Sequence, residues 1–224
     1  MWGEYGIVDI RVLYVLKRFN DVNKYFQNIH MKIDKYTSIL FCHYLLLFFI
    51  VCFVIIYYYY YYMSSKPIYA IAVFDDIITG TVRFTEDFVK NKIRIDLNLK
   101  GLNPNSLHGF HVHEAGDLTD KCTSMCSHFN PYGNTHGCPG MRERHVGDLG
   151  NITTNNKGEA KYTFYDNIIK LRGYKANIIG RGVIIHKDED DCGKGGNSES
   201  VKTGNAGKRI ACAVIGYSKE NFTC

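Results

Sequence analysis

From residue 67 onward the sequence predicts an all-β domain, either a sandwich or a barrel. Three observations lead to this prediction: short segments alternate apolar and polar residues, turn signals separate them, and no long helical period appears. In segment 92–99 the alternation is strict, as in a strand with one buried face. Many short strands joined by turns are typical of sandwiches and barrels.

The strands are predicted in order along the chain, with two interruptions. The predicted segments are 69–74, 80–85, 92–99, 158–165, 183–186 and 210–217. Turn signals rich in Gly, Asn and Pro lie at 101–105 and 155–158. Two long stretches, about 114–148 and 187–209, lack this strand pattern. Loops of that length in a compact domain are usually functional, so we expect a site there.

The first 62 residues differ from the β domain. Residues 1–38 have mixed charge and no clear motif, whereas residues 39–62 are predominantly apolar and lack Asp, Glu, Lys and Arg. A segment of this length can cross a bilayer, which needs about 20 apolar residues. The six basic against four acidic residues in 1–62, all before the apolar segment, favour a cytoplasmic N-terminus and an external β domain.

Three interpretations of residues 39–62 remain open. The segment is a signal anchor, a cleaved signal peptide, or a low-complexity stretch upstream of a translation start at Met63. The sequence therefore predicts three parts: 1–38, 39–62 and a domain at 63–224. We expect a cytoplasmic protein if translation starts at Met63. Otherwise we expect the domain outside the cytosol, anchored in a membrane or secreted.

Charge and cysteine spacing argue against two classes of function. The formal net charge is +5, but no run of five Lys or Arg occurs, so we expect no specific nucleic-acid partner. A small anionic substrate fits the same charge balance. The eight cysteines form no CxxC pair, which argues against a thiolate zinc finger.

Histidines are concentrated in and beside the two long loops, with seven of the nine between residues 108 and 186. His111 and His113 are two residues apart, so in a strand both imidazoles face one side and can reach one metal ion. Further candidate ligands are His128, His136, His145, Asp148 and His186. Imidazole suits zinc and copper, and three imidazoles with one carboxylate suit tetrahedral zinc.

The motifs around these histidines resemble those of the copper/zinc superoxide dismutase family. They occupy residues 108–114, 128–131, 136–137, 144–150, 186, 193–197 and 203–212. They occur in the family's order, and the resemblance covers residues 66–217 but not residues 1–62. It implies an eight-stranded Greek-key β-barrel or sandwich of the immunoglobulin-like kind.

The resemblance also implies two metal cofactors, with one copper and one zinc ion per subunit. The implied copper ligands are His111, His113, His128 and His186. The implied zinc ligands are His128, His136, His145 and Asp148. His128 would therefore bridge the two ions, while Asp190 would hydrogen-bond both His111 and His136 and fix their orientation. His108 is expected to be structural.

The activity implied by the resemblance is the disproportionation of superoxide to dioxygen and hydrogen peroxide, an antioxidant oxidoreductase reaction. Copper would change oxidation state, which zinc cannot do. His128 would carry a proton and Arg209 would neutralise the anionic substrate, with Lys202 and Thr203 at the rim of its channel. Two further lysines, Lys194 and Lys208, would either add positive potential or be ordinary solvated side chains.

Cysteine pairing is only partly fixed by the resemblance, which implies a disulfide between Cys122 and Cys212. Cys126 and Cys138 each lie two residues from an implied zinc ligand. We expect either a second disulfide between these two or two free thiols. Cys192 is expected to be free.

Partners and modifications are the remaining expectations. The resemblance implies a homodimer whose interface lies near Ile179, Gly180, Gly216 and Tyr217. Glycosylation sequons begin at Asn151 and Asn221, and they would matter only outside the cytosol. A membrane partner is expected only if residues 39–62 are present in the mature protein.

Two other functions compete with the enzymatic one. A copper-delivery protein would need an extra thiol-based copper-binding domain, and residues 1–62 contain no CxxC. A metal-storage or structural β-sandwich would need neither a bridging His128 nor Arg209.

Overall fold

The computed structural model describes residue 18 and residues 35–223. The chain divides into two compact units, Met1–Met63 and Ser64–Cys224. Most of the segment 1–38, and Cys224, therefore lie outside the described residues.

Helix α1 spans Lys35–Ser65, and all but its last two residues belong to the first unit. Its stretch Leu40–Tyr59 has a mean hydropathy of 2.6 over 20 residues and none of it is buried. By length and composition alone this stretch could cross a membrane, and a signal sequence would meet the same criteria.

The second unit consists mainly of nine strands. They are β1 (Tyr69–Asp75), β2 (Thr79–Asp87), β3 (Lys92–Lys100), β4 (Leu107–His113), β5 (Asp148–Thr153), β6 (Thr163–Asp166), β7 (Gly182–His186), β8 (Arg209–Val214) and β9 (Gly216–Tyr217). A short helix, α2 (Ser200–Thr203), precedes β8, and single 3-10 turns occupy Thr123–Met125 and Lys219–Asn221.

These strands form two antiparallel sheets, of five strands in the order β6-β3-β2-β1-β9 and of four in the order β5-β4-β7-β8. The predicted all-β sandwich is confirmed, but the sheets are open and do not close into a barrel. The described residues contain nine strands rather than eight because segment 210–217 breaks at Ile215. β8 pairs with β7 in one sheet, and β9 pairs with β1 in the other.

The hydrophobic core lies between the two sheets and follows the period-two pattern of the strands. In β3 the alternate residues Ile93, Ile95, Leu97 and Leu99 are buried, each contributing about 1.5–3 kcal/mol relative to exposure. Segment 158–165 is a strand only from Thr163 onward. Before Thr163, a turn and one isolated bridge from Ala160 to Leu99 replace the predicted strand.

Strand β4 separates the core from the candidate site. Phe110 and Val112 belong to the hydrophobic core. His111 and His113 alternate with them and are buried without belonging to that core. The first long loop (114–147) joins β4 to β5, and the second long loop (187–208) joins β7 to β8. Both loops contribute side chains to the histidine site.

Candidate metal centre

The site is built around the two histidines of β4, with two more brought beside them by pairing. His128 forms an isolated antiparallel bridge with His113, so the first long loop is tied to the strand at this point. His186 ends β7, the neighbour of β4. The ring centroid of His111 lies 4.1 Å from that of His128 and 4.8 Å from that of His186. One ligand atom from each of these four residues lies within 4.8 Å of the others.

Three of these four imidazoles have a buried ring nitrogen without a hydrogen-bond partner among the described residues. These atoms are Nδ1 of His111, Nε2 of His113 and Nε2 of His186. Leaving a buried polar atom unpaired is costly unless a ligand pairs it. The four-histidine set therefore fits a transition metal that prefers imidazole, such as copper.

Backbone carbonyl groups fix the orientation of two of these rings. His113 donates its Nδ1–H to the carbonyl oxygen of Cys126 at 2.9 Å. His186 donates its Nδ1–H to the carbonyl oxygen of Gly207 at 3.1 Å. Because each donor nitrogen is committed to a carbonyl, the tautomer is set and the Nε2 lone pair is left for a metal.

A second set gathers around one carboxylate oxygen, Oδ1 of Asp148. The Nδ1 atoms of His128, His136 and His145 lie 2.9, 3.1 and 3.1 Å from it. His136 Nδ1 nevertheless makes no hydrogen bond there. The four ligands of a tetrahedral zinc ion with arms of about 2.0 Å are about 3.3 Å apart. The spacing and the donor types of this set therefore fit zinc.

The other oxygen of Asp148 is held by the backbone. Its Oδ2 accepts hydrogen bonds from the N–H groups of His145, at 2.8 Å, and Gly137, at 3.1 Å. Both donors belong to the first long loop, so the loop that carries all three histidines of this set also orients the carboxylate.

Asp190 connects the two sets from the second long loop. Its Oδ2 accepts a hydrogen bond from His111 Nε2 at 2.7 Å, and its Oδ1 accepts one from His136 Nε2 at 2.8 Å. Asn151 of β5 holds the backbone of Asp190 with two hydrogen bonds of 2.8 Å, one to its N–H and one to its carbonyl oxygen. One carboxylate thus orients a histidine of each set.

The electrostatic state of the site suits cation binding. Burial, followed by the neighbouring imidazoles, lowers the pKa of His111 to about 3. Burial is also the main cause that lowers the pKa of His186 to about 4. Burial opposes ionisation of Asp148 and Asp190, yet hydrogen bonds from the histidines hold the pKa of both carboxyls well below the usual range. Neutral imidazoles and ionised carboxylates are the forms that bind metal.

His136 is the exception among the imidazoles. Burial lowers its pKa, but its contacts with Asp148 and Asp190 outweigh burial and raise the pKa to about 9. This imidazole therefore has to release a proton before it can serve as a metal ligand.

An open cleft leads to His113, His128 and His186, and Arg209 lines it. Arg209 donates hydrogen bonds of 2.6 Å to the carbonyl oxygens of Cys122 and Cys126, which fix its guanidinium group. The predicted rim residues Lys202 and Thr203 also line the cleft. The other two lysines, Lys194 and Lys208, are exposed and are not among the residues that line it.

Within residues 35–223 the structure has two disulfides, and one of them differs from the prediction. Cys122 is bonded to Cys212, as the resemblance implied. Cys138 is bonded to Cys192, so neither alternative for Cys126 and Cys138 holds, whether a bridge between them or two free thiols, and the expectation of a free Cys192 is also wrong. The thiol of Cys126 is free and exposed. The physical reason is that the contact of His136 with Asp190 brings Cys138 to the second long loop rather than to Cys126.

Both sequon asparagines serve the fold. Asn151 holds the backbone of Asp190, as described above. Asn221 Nδ2 donates both hydrogens, to the carbonyl oxygens of Tyr69 and Ser218 at 2.5 and 2.8 Å. A sugar on Asn221 would replace one of these hydrogens, so the folded domain disfavours glycosylation there.

Sequence reasoning did not assign a role to Arg144. Its buried guanidinium group contacts the carbonyl oxygen of Asp148 and the carboxylate of Asp166. The available signal was its position beside His145, because an arginine next to buried ligands has to find an acidic partner.

Together the fold and the site define an all-β domain with two buried sets of potential metal ligands that share one imidazole. The family model for copper/zinc superoxide dismutase (SODC) matches residues 78–215. The chain belongs to the copper/zinc superoxide dismutase family. As a member of this family it is a superoxide dismutase, and hence an oxidoreductase.

Individual relatives agree with this assignment. The chain is 63% identical over 158 residues to a Cu-Zn superoxide dismutase of Paramecium bursaria Chlorella virus 1, covering 70% of this chain and 83% of the relative. It is 50% identical over 153 residues to that of Yarrowia lipolytica, covering 67% and 99%. A crystal structure of the clock protein EA4 has a TM-score of 0.65 and 43% identity, covering 69% of this chain and 97% of that one.

Proposed function

We propose that the chain disproportionates superoxide into dioxygen and hydrogen peroxide with one copper and one zinc ion per subunit. The proposed copper ligands are His111, His113, His128 and His186, and the proposed zinc ligands are His128, His136, His145 and Asp148. Copper supplies the electron transfer, since it can alternate between two oxidation states and zinc cannot. The observation that carries the proposal is that His128 belongs to both buried sets.

His128 is proposed to hold and deliver a proton at one ring nitrogen. Its Nδ1 lies 2.9 Å from Asp148 Oδ1, which leaves Nε2 for the other three histidines. The residue lines the cleft and is 5% exposed, so a proton can pass between its ring and water. A fixed partner on Nδ1 would keep the ring in place while Nε2 takes up and releases a proton, which supports the role of proton carrier.

Arg209 is proposed to bind and orient the anion. The guanidinium group of Arg209 lines the cleft and carries a positive charge. Its hydrogen bonds to the carbonyl oxygens of Cys122 and Cys126 hold it in one position. Lys202 is exposed at the same cleft and would add to the attraction. Positive clefts raise the association rate of anions by about 10–10³-fold, and superoxide dismutase is among the systems from which this range is known.

One experiment tests the proposal directly. Copper and zinc per chain are measured by mass spectrometry on purified protein, and superoxide consumption is followed on the same sample. We expect one ion of each per chain and consumption far above the spontaneous rate. Protein that binds both metals and leaves the spontaneous rate unchanged would refute the function, while protein that binds only one would refute the shared His128.

We further propose that the domain forms a homodimer through the surface around Gly180 and Gly216. A Cβ atom at either glycine would meet nothing within 4 Å, so a partner can approach the backbone closely. Tyr217 beside them is 53% exposed, which is high for a large aromatic side chain. Sedimentation velocity should give a dimer for the wild type and a monomer for Gly216→Glu. A monomeric wild type would contradict the proposal.

The location of the protein depends on residues 1–62. We propose that a chain that retains them is anchored by α1 with its N-terminus in the cytoplasm, and that a chain starting at Met63 is cytoplasmic. The support is the 20-residue apolar stretch Leu40–Tyr59 and the basic excess before it. N-terminal sequencing of native protein, followed by carbonate extraction of membranes, decides between these forms. Full-length protein that is extracted by carbonate would exclude the anchor.

A further inference from the structure

The disulfide between Cys138 and Cys192 joins the two long loops beside the proposed zinc set. Cys138 follows His136 by two residues, and Cys192 follows Asp190 by two residues. The Cα atoms of the two cysteines are 5.0 Å apart, although 54 positions separate them in the chain. The covalent bridge therefore joins the same two loops as the hydrogen bond between His136 and Asp190, two residues further along each of them.

On the side of the second long loop, the bridge stabilises a turn that serves Asp190. Cys192 adopts a φ of 60°, in the left-handed region that non-glycine residues seldom occupy. In this conformation its N–H donates a hydrogen bond of 2.7 Å to Asp190 Oδ1, the oxygen that also contacts His136. An unfavourable backbone conformation persists only where its surroundings impose it, and the disulfide is one such constraint.

The two loops are in close contact at the next residue as well. A Cβ on Gly193 would lie 2.8 Å from the carbonyl oxygen of His136, so only glycine allows this approach. His136 donates its own backbone N–H to the carbonyl oxygen of Val201, at 2.9 Å. His136 is thus enclosed by the second long loop on several sides.

On the side of the first long loop, the bridge lies next to the groups that orient Asp148. Gly137, between His136 and Cys138, donates its N–H to Asp148 Oδ2 at 3.1 Å. Pro139 packs against Gly150 of β5, where a Cβ would approach it to 3.0 Å. A displacement of Cys138 would therefore disturb both His136 and the carboxylate of the same set.

We propose that the Cys138–Cys192 disulfide is a positioning bridge that keeps the zinc set closed by holding His136 against Asp190. This inference rests on the proposed zinc ligands. A dithiol reductant would convert the bridge to two thiols and would itself become a disulfide. The contact between His136 and Asp190 would then depend on hydrogen bonds alone, and zinc would leave faster.

The test compares zinc release from metal-loaded protein to a colorimetric chelator, without reductant and well below the melting temperature. Removing a group that orients a metal ligand typically changes metal affinity about 10–100-fold. We expect Cys138→Ala/Cys192→Ala to release zinc faster by about this factor. The matched control is Ile95→Ala, which lowers stability in the core of the five-stranded sheet and leaves both loops intact. It should release zinc at the wild-type rate.

A second arm does not depend on the folding of the double variant. Wild-type protein is treated with increasing tris(2-carboxyethyl)phosphine, a reductant that, unlike a dithiol, binds zinc only weakly. The bridged fractions of Cys138–Cys192 and of Cys122–Cys212 are each measured by alkylation and mass spectrometry, and bound zinc is measured in parallel. We expect the release rate to rise as the Cys138–Cys192 bridge opens. Equal release from bridged and reduced protein, or equal acceleration by Ile95→Ala, would overturn the proposal. Protein that never binds zinc would instead overturn the zinc assignment itself.

Discussion

Arg144 is the largest fully buried side chain among the described residues, and its removal should be among the most destabilising single changes in the domain. Its guanidinium group forms an ion pair with Asp166, and both side chains are 1% exposed. It also contacts the carbonyl oxygen of Asp148. Arg144→Met keeps most of the volume of the side chain and removes the charge and the donors.

The expected magnitude follows from what Asp166 would retain. Breaking a buried ion pair by removing one partner costs about 3–5 kcal/mol, because the other charge stays buried. Asp166 Oδ1 still accepts hydrogen bonds from the N–H groups of Ile168 and Ile169, at 2.8 and 2.9 Å. We therefore expect a loss at the lower end of that energy range, about 3 kcal/mol. For a domain of this size such a loss corresponds to a fall in Tm of about 6–12 °C.

Guanidinium chloride unfolding and calorimetry of the metal-loaded protein measure this loss. The matched control is Arg83→Met, which breaks an ion pair with Glu220 whose side chains are 46% and 36% exposed. That change should cost less than about 1 kcal/mol. Arg144→Met/Asp166→Leu should recover part of the stability, since no buried charge is then unpaired. If Arg144→Met costs no more than Arg83→Met, the reasoning about burial is wrong.

Three further predictions concern the site. Arg209→Ile should retain both metals, lower the rate of superoxide consumption about tenfold or more, and make that rate less dependent on salt. The control Lys194→Ala, outside the cleft, should change neither the rate nor its salt dependence. An unchanged rate for Arg209→Ile at low salt would exclude the steering role. Asp190→Asn should weaken zinc affinity about 10–100-fold in competition with a chelator, because the amide cannot accept hydrogen bonds from both His111 and His136. Unchanged affinity would contradict this. Removing both metals should lower stability by about 4 kcal/mol for each metal, about 8 kcal/mol in total, if each free metal exceeds its Kd a thousandfold. Calorimetry of apo and loaded protein would show this, and equal stability of the two forms would contradict it.

The sequence predicts those strands and histidines whose positions follow the two-residue repeat of a β-strand. In β3 the alternation of apolar and polar residues gives both the strand and its buried face. The same period gives the common face of His111 and His113 in β4. Local periodicity is visible in one sequence because neighbouring residues experience the same sheet geometry.

Strand β5 was not predicted, because the requirements of the site override the strand pattern there. It begins with the buried carboxylate of Asp148 and contains Gly150 at a φ of 78°. It also includes Asn151, whose side chain is committed to the second long loop. These polar and flexible residues lower the strand signal, and only the pairing with β4 restores it.

The pairing of the cysteines could not be obtained from distance along the chain. Cys126 and Cys138 both lie near proposed zinc ligands, which suggested that they meet. Nearness to a common ion does not fix the direction of a side chain, however. The direction of Cys138 is set by a contact between the two long loops, in which its partner Cys192 lies 54 positions further along the chain, and such a contact has no local signal in one sequence.

The second long loop shows why the site and the fold depend on each other. No residue of 187–208, all of which the structure describes, belongs to the hydrophobic core between the sheets. Its buried polar side chains, Asp190 and Ser200, are held by hydrogen bonds to His111, His136 and neighbouring loop residues. The loop is therefore held mainly by hydrogen bonds, both within it and to the groups that orient the proposed metals, and by one disulfide. Apolar burial contributes the small side chain of Ala206. A change that loosens the ligands should consequently loosen this loop, while the sandwich beneath it, whose core is independent of the loop, remains folded.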